Sequence, residues 1–348
     1  MSVLKKITSL SMFPSLLALA LILLFNVIIQ PGFLSVEIRD GRLLGGLVMI
    51  LNRSVPIMLL SLGMTLVIAT GGTDLSVGSV LAVSSAFAIS LIRGGDASPT
   101  ADTAMVLGLV VVLTLIVAIA CGLWNGILVA KIGMPPVVAT LILMVAGRGL
   151  TQNITRERSV TTGHLPFSEI ANGFTLGIPN QIWIALIVFL LFWFFTRKTA
   201  FGLFVESVGA NRQAARLAGV KSTKIIMVIY ALSGLCAGIA GILSASNVRV
   251  IEPMNTGQNF ELEAILAVVL GGTSMKGGKF NLGGSCVGAI ILMALNQTMY
   301  FYGVPVESTL SVKAIVIVIV IIVQSSTTRN FLAARIKRLK RQGVRTHE

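Results

Sequence analysis

The sequence predicts an all-α, polytopic membrane protein of about ten transmembrane helices, and three observations carry that prediction. Hydrophobic residues fill 55% of the 348 positions and charged residues only 11%, whereas a soluble domain carries about a quarter charged residues. Runs such as 104–130 and 182–195 hold no Asp, Glu, Lys or Arg, and about 20 mostly apolar residues let a helix cross the hydrocarbon layer. The basic residues, finally, sort by loop. With both termini on one side, eighteen Lys and Arg fall in loops or tails on that side and seven on the other. An excess of Lys and Arg marks the cytoplasmic side, so both termini are expected there.

The expected spans are 13–29, 47–70, 75–92, 104–130, 135–153, 181–196, 225–246, 262–271, 284–302 and 308–324. The first is read as a span rather than a cleaved signal, because no small-x-small site follows it. The eighth is too short to cross alone and reads as a broken helix, which membranes tolerate only where protein or a wet cavity satisfies the freed backbone groups. Residues 1–348 read as one transmembrane domain, with one long cytoplasmic loop near 197–224 and a basic tail over 325–348. The loops on the far side hold most of the acids, including Asp96, Asp102, Glu252, Glu261 and Glu263.

Several function classes are set aside. The net charge of +14 suggests nucleic acid, but its sorting by loop is what topology requires. Cys121, Cys236 and Cys286 lie far apart in apolar stretches without metal-ligand spacing, and they read as small packing residues. Two histidines, His164 and His347, do not make a metal site. No nucleophile–base pair or two-His helix points to a membrane-embedded enzyme. The tail from Arg329 to Arg345 is accounted for by attraction to anionic lipid of the inner leaflet.

The cytoplasmic loop contains a short helix. Asn211 can cap it by accepting from the exposed N–H groups of the first turn, Arg212 to Ala218 favour helix, and Gly219 suits a left-handed stop. Two turns are not stable alone, so the helix needs a dock. Ala214, Ala215 and Ala218 offer small residues for close approach, and Glu206 and Gly209 lie just ahead. Two readings stand side by side: a helix resting on lipid headgroups through Arg212, Arg216, Lys221 and Lys224, or a docking helix for a cytoplasmic partner.

Two glycine-rich junctions interrupt apolar runs. In the first, Gly71 and Gly72 precede Thr73, Asp74 and Ser76. An aspartate inside a membrane helix costs about 2.5–3.5 kcal/mol, so Asp74 should cap, pair or face water. Capping the helix that resumes at Val77 and contact with a transported solute are both compatible with it. The second junction, Gly271 to Gly284, contains Gly272-Thr-Ser-Met-Lys-Gly-Gly-Lys279. A phosphate-binding P-loop needs Gly-Lys followed by Ser or Thr; here Gly278 intrudes and Phe280 stands where the hydroxyl should be. No ATP site is expected in this chain. Polar residues inside spans are candidates for a path: Asn52, Trp124, Asn125 and Asn296, with helix–helix hydrogen bonding as the plainer account of each. Arg148 with Glu252, Glu261 and Glu263 reads as an outer gate or a surface for a binding protein.

Three stretches carry a family resemblance. Gly209-x-Asn211-x-x-Ala214-Ala215-Arg216-x-Ala218-Gly219-Val220 resembles the coupling loop of sugar-importing ABC permeases, relatives of the branched-chain amino-acid permeases. Ala69-Thr-Gly-Gly-Thr-Asp-Leu-Ser-Val-Gly78 resembles the family signature, with Thr73 where Ile is usual. Ala264 to Gly284 resembles the second glycine junction. Further stretches, such as Gly122-Leu-Trp-Asn-Gly-Ile-Leu-Val-Ala130 and Leu232-Ser-Gly-Leu-Cys-Ala-Gly-Ile-Ala-Gly241, are similar to permeases of galactofuranose importers in particular. The resemblance implies a type II importer permease in a bacterial inner membrane. Its loop would dock on ATP-binding subunits that hold ATP and magnesium, this chain itself holding no cofactor. A second, related permease and a periplasmic sugar-binding protein would complete the assembly. Another sugar such as ribose, xylose or autoinducer-2, or an ion-coupled secondary transporter, are the alternatives.

Overall fold

The computed structural model describes residues 13–29, 32–94 and 103–324. The basic tail, Lys5, Lys6, Asp96 and Asp102 lie outside the described residues. The helices, in chain order, are α1 (Phe13–Ile29), α2 (Gly46–Ala69), α3 (Val77–Gly94), α4 (Thr103–Ile127), α5 (Pro136–Thr155), α6 (Leu165–Asn172), α7 (Asn180–Lys198), α8 (Ala200–Ala210), α9 (Arg212–Leu217), α10 (Ser222–Val248), α11 (Phe260–Leu270), α12 (Leu282–Phe301) and α13 (Val306–Gln324). A π-helical turn over Leu128–Ile132 extends α4 and stops at Gly133, whose φ of +82° the missing side chain permits. Pro135 and Pro136 then start α5, where a proline lacks no needed donor.

Among the described residues, six helical segments are long and apolar enough to cross a membrane: Gly46–Ala69, Leu107–Ile132, Pro136–Thr155, Asn180–Lys198, Ser222–Val248 and Leu282–Phe301. The chain is therefore a multi-pass, all-α membrane protein. The expected count of about ten is not reached by that measure. The other four expected spans coincide with α1, α3, α11 and α13, and α11 has only 11 residues, about 16 Å of helix. Three short antiparallel strand pairs dress the loops: β1 (Glu37–Arg39) with β2 (Arg42–Leu44), β3 (Val160–Thr161) with β6 (Val250–Ile251), and β4 (Phe174–Thr175) with β5 (Ile178–Pro179).

α10 is the hub. It packs against α2, α3 and α4, and its small residues let backbones touch. A methyl on Gly63 of α2 would lie 2.8 Å from the Ser233 Cα, one on Gly234 would lie 3.0 Å from the Gly122 Cα, and one on Gly241 would lie 2.5 Å from the Leu81 carbonyl oxygen. Lipid tails are as apolar as leucine, so close van der Waals packing replaces the hydrophobic effect as the glue between helices. The stretch Leu232 to Gly241 is thus a contact surface on three sides. Cys236 and Cys286 are buried within this packing and all three cysteines are free.

Candidate functional site

The cytoplasmic loop folds as an elbow of α8 and α9. Asn211 adopts an extended backbone and its side-chain oxygen accepts from the N–H groups of Gln213 and Ala214, both at 3.0 Å. The far end closes by two reversed bonds, Val220 N–H to Ala215 carbonyl at 3.0 Å and Gly219 N–H to Arg216 carbonyl at 3.1 Å. Gly219 has a φ of +84°, the left-handed geometry such a stop requires. The Arg212 guanidinium donates to the Ala130 carbonyl at 3.2 Å, tying α9 to the π-turn.

The alanine face expected on α9 is split. Ala215 is only 5% exposed and packs into the protein's own core. Its neighbours one turn apart on a six-residue helix cannot all share one side. Ala214, Arg216, Leu217 and Ala218 are exposed, Leu217 at 90%. On α8, Gly202, Val205 and Val208 face inward, Glu206 is half-buried, and Leu203 and Phe204 are exposed. The outward face therefore carries Leu203, Phe204 and Leu217, which sequence reasoning passed over.

The three glycine segments converge on one atom group. The Gly278 N–H donates to the Ala69 carbonyl at 2.8 Å, joining the second junction to the end of α2. A methyl on Gly209 would overlap that same carbonyl oxygen and lie 2.6 Å from the Gly278 nitrogen. A methyl on Gly277 would lie 3.0 Å from the Gly71 nitrogen and 3.1 Å from the Gly209 oxygen. The elbow, the first junction and the second junction thus meet backbone to backbone.

Behind that contact lies a buried polar cluster. One Asp74 oxygen accepts from the Ser76 N–H at 3.0 Å and its hydroxyl at 2.6 Å; the other accepts from the Ser233 hydroxyl at 2.9 Å. Asn125, fully buried, donates to the Ser76 hydroxyl oxygen at 2.8 Å. Asp74 therefore organises the start of α3 and pins it to α10. Thr73 is half-buried, with its carbonyl 3.4 Å from the Thr140 hydroxyl. The Tyr230 hydroxyl is buried in this region without a hydrogen-bond partner among the described residues, and a methyl on Gly72 would lie 2.9 Å from it. Trp124 faces outward, away from this cluster. It is 53% exposed, because the next residue, Asn125, takes the inward-facing position and 100° of helix rotation turns the indole out.

The outer candidates divide into three. Arg148 donates to the carbonyls of Thr256 and Gly257 at 2.6 and 2.8 Å and lies 3.9 Å from the Glu261 carboxylate. Gly78 admits this loop, since a methyl there would overlap that carboxylate and lie 2.6 Å from the Gly257 oxygen. The starts of α3 and α11 therefore meet. Glu263 pairs instead with Lys313 of α13, both largely buried. Glu252 is exposed and accepts from Asn255 at 2.8 Å within its own turn. Asn296 lines a cavity of about 490 Å³ with Arg53, Asn247, Gln297, Tyr300 and Lys313, and its Oδ1 has no hydrogen-bond partner among the described residues. Asn52, one residue from Arg53, lines a separate cavity of about 530 Å³ walled by Phe33, Phe174 and Phe301. The path candidates thus fall in distinct places, with only Thr73, Asp74, Ser76 and Asn125 brought together. Among the described residues no three His, Cys, Asp or Glu side chains gather as a metal-binding group.

Comparison with known proteins fits this architecture. The chain is 47% identical over 312 residues to the galactofuranose transporter permease protein YtfT of Escherichia coli K12, covering 90% of this chain and 89% of that one. It is 40% identical over 340 residues to the fructose import permease protein FruF of Bifidobacterium longum, covering 96% and 93%. It is 35% identical over 315 residues to the ribose import permease protein RbsC of Escherichia coli K12, covering 89% and 92%. No solved structure matches. A family model described as branched-chain amino acid transport system / permease component matches residues 46–323, from α2 into α13 and across every junction described above, and the chain belongs to that family.

Proposed function

We propose that this chain is the membrane-spanning, non-catalytic subunit of an ATP-driven importer that passes a monosaccharide, galactofuranose foremost, into the cytoplasm of a bacterial cell. Sequence identity of 47% to a galactofuranose permease, against 40% and 35% to fructose and ribose permeases, favours that sugar. The chain sits in the inner membrane with both termini cytoplasmic. ATP and magnesium are held by partner ATP-binding subunits, a second and different permease completes the pore, and a periplasmic sugar-binding protein delivers the cargo.

The observation that carries the coupling half of this reading is the meeting of Gly209, Gly278 and the Ala69 carbonyl. A partner gripping Leu203, Phe204 and Leu217 moves the elbow. With no side chain in between, displacement of Gly209 passes directly to the end of α2 and to the loop joining α11 to α12. At their opposite ends α2 and α12 carry Arg53 and Asn296, which line a cavity together with Lys313, the partner of Glu263. That cavity supplies hydrogen-bonding groups suited to sugar hydroxyls, and we assign it as the entry of the path, with Asp74, Ser76 and Asn125 holding the inner end shut. Arg148 and Glu261 brace the loop on which a binding protein would sit.

The test is reconstitution of the full chain with its ATP-binding subunits, second permease and binding protein in vesicles supplied with radiolabelled D-galactose, whose furanose form is present at equilibrium. ATP-dependent uptake insensitive to ionophores is the expected result. Uptake by this chain alone, driven by a sodium or proton gradient, would place it among secondary transporters and overturn the reading.

A further inference from the structure

Beside the elbow lies a cavity of about 740 Å³ with five cationic side chains on its walls, those of Lys131, Arg212, Arg216, Lys221 and Lys224. Among the described residues no acidic side chain lines it, and none of the five takes part in an ion pair. Ser222 and Thr223 add hydroxyls, and they open α10, whose first turn has no side-chain cap. The first N–H groups of a helix, with the positive end of its dipole, favour an anion. The Ser222 and Lys224 N–H groups already donate to the Val220 and Lys221 carbonyls, so the anion receptor is made by the five cationic side chains and the positive end of a 27-residue helix rather than by free backbone donors.

The position selects the anion. Lys131 ends the apolar run Leu107–Ile132 and Lys221 to Lys224 begin the run of α10, so the cavity sits where two membrane-spanning segments leave the hydrocarbon. Ile132, next to Lys131, is 64% exposed and continues the apolar surface away from it. We infer that this cavity binds the phosphate headgroup of an anionic membrane phospholipid, with Arg212 and Arg216 of α9 as one wall. Basic pockets between spans at the cytoplasmic surface recognise such headgroups. Because α9 is part of the elbow, a bound headgroup bridges the elbow to α4 and α10 and fixes its resting position.

The purified full chain in neutral detergent is mixed with phosphatidylglycerol or phosphatidylcholine and examined by native mass spectrometry. Phosphatidylglycerol is expected to stay bound and phosphatidylcholine to be lost. The double variant Lys221→Ala/Lys224→Ala weakens retention by about fivefold per lysine. The control Arg156→Ala/Arg158→Ala, at the far end of α5, leaves it unchanged. Inorganic phosphate serves as the competitor. Equal retention of both lipids, or retention untouched by the Lys221/Lys224 variant in a chain that still melts cooperatively, overturns the inference. So does binding of inorganic phosphate with no lipid retained, which would make the site one for a soluble anion.

Discussion

Replacing Gly209 by alanine tests the backbone contact at the centre of the proposed coupling. The added methyl would lie 2.6 Å from the Gly278 nitrogen and 2.9 Å from the Ala69 carbonyl carbon, and would overlap the carbonyl oxygen between them. Carbon contacts normally sit at about 3.5–4.0 Å, so α8 must retreat by roughly 1 Å. Every atom in the way is backbone, so no rotamer change relieves the clash. Overpacking of this kind costs about 1–3 kcal/mol, a fivefold to hundredfold shift against the arrangement in which the elbow touches α2. The Gly278 to Ala69 hydrogen bond, at 2.8 Å, is the first interaction put at risk. In reconstituted vesicles G209A should still assemble with the ATP-binding subunits and hydrolyse ATP, while sugar uptake per ATP falls by at least fivefold. Gly219→Ala is the comparison: nothing lies within 4 Å of its methyl, so only left-handed backbone strain of about 1–2 kcal/mol applies. If G209A transports with the stoichiometry of the parent, the contact does not transmit motion and the reasoning is wrong.

Three other substitutions probe the remaining parts. Lys313→Met strands Glu263 in a largely buried site, which costs about 3–5 kcal/mol; a matching fall in thermal stability in detergent, largely restored in the double variant with Glu263→Gln, would show that the two charges act as a pair. Asp74→Ala leaves the Ser76 and Ser233 hydroxyls without their acceptor, and bonds to a charged group contribute about 1.5–3 kcal/mol each. Melting should drop by more than it does for Ser233→Ala, and equal drops would mean that Ser76 takes nothing from the carboxylate. Asn211→Ala removes two capping bonds from α9 for about 1 kcal/mol, so affinity for the ATP-binding subunits should fall several-fold while Asn211→Asp retains it. A pull-down that ranks Ala equal to Asp would separate the cap from docking.

Much of the fold was readable because apolar runs have few ways to satisfy their backbone in lipid. The expected span 13–29 matches α1 residue for residue, and the expected 225–246 lies inside α10 (Ser222–Val248). What escaped prediction were the short elements whose pairing depends on distant partners. β3 finds β6 ninety residues later, and α6 is held by Ser246 and Asn247 of α10 through Asn172 and Ala171. No local pattern announces such contacts. The site was legible in pieces. Asn211 and Gly219 were visible because capping chemistry is local, whereas Ser233 and Tyr230 look like ordinary residues of an apolar span until α10 is laid against the first junction. Lys313 did carry a signal: a lysine in an apolar run is costly enough to demand a partner, and Glu263 is that partner. The inward turn of Ala215 and the outward turn of Trp124 were not legible, since neighbouring helical positions point in different directions and composition alone cannot say which faces the core.

The glycine-lined faces of α10 limit how this protein can move. Bodies whose main chains already touch cannot draw nearer, and prising them apart forfeits the very dispersion that joins them. α2, α3, α4 and α10 should therefore travel as one rigid block. Any opening must run along other seams, such as that between α12 and α13, where the cavity beside Asn296 and Lys313 leaves side chains room to shift as the pore changes sides.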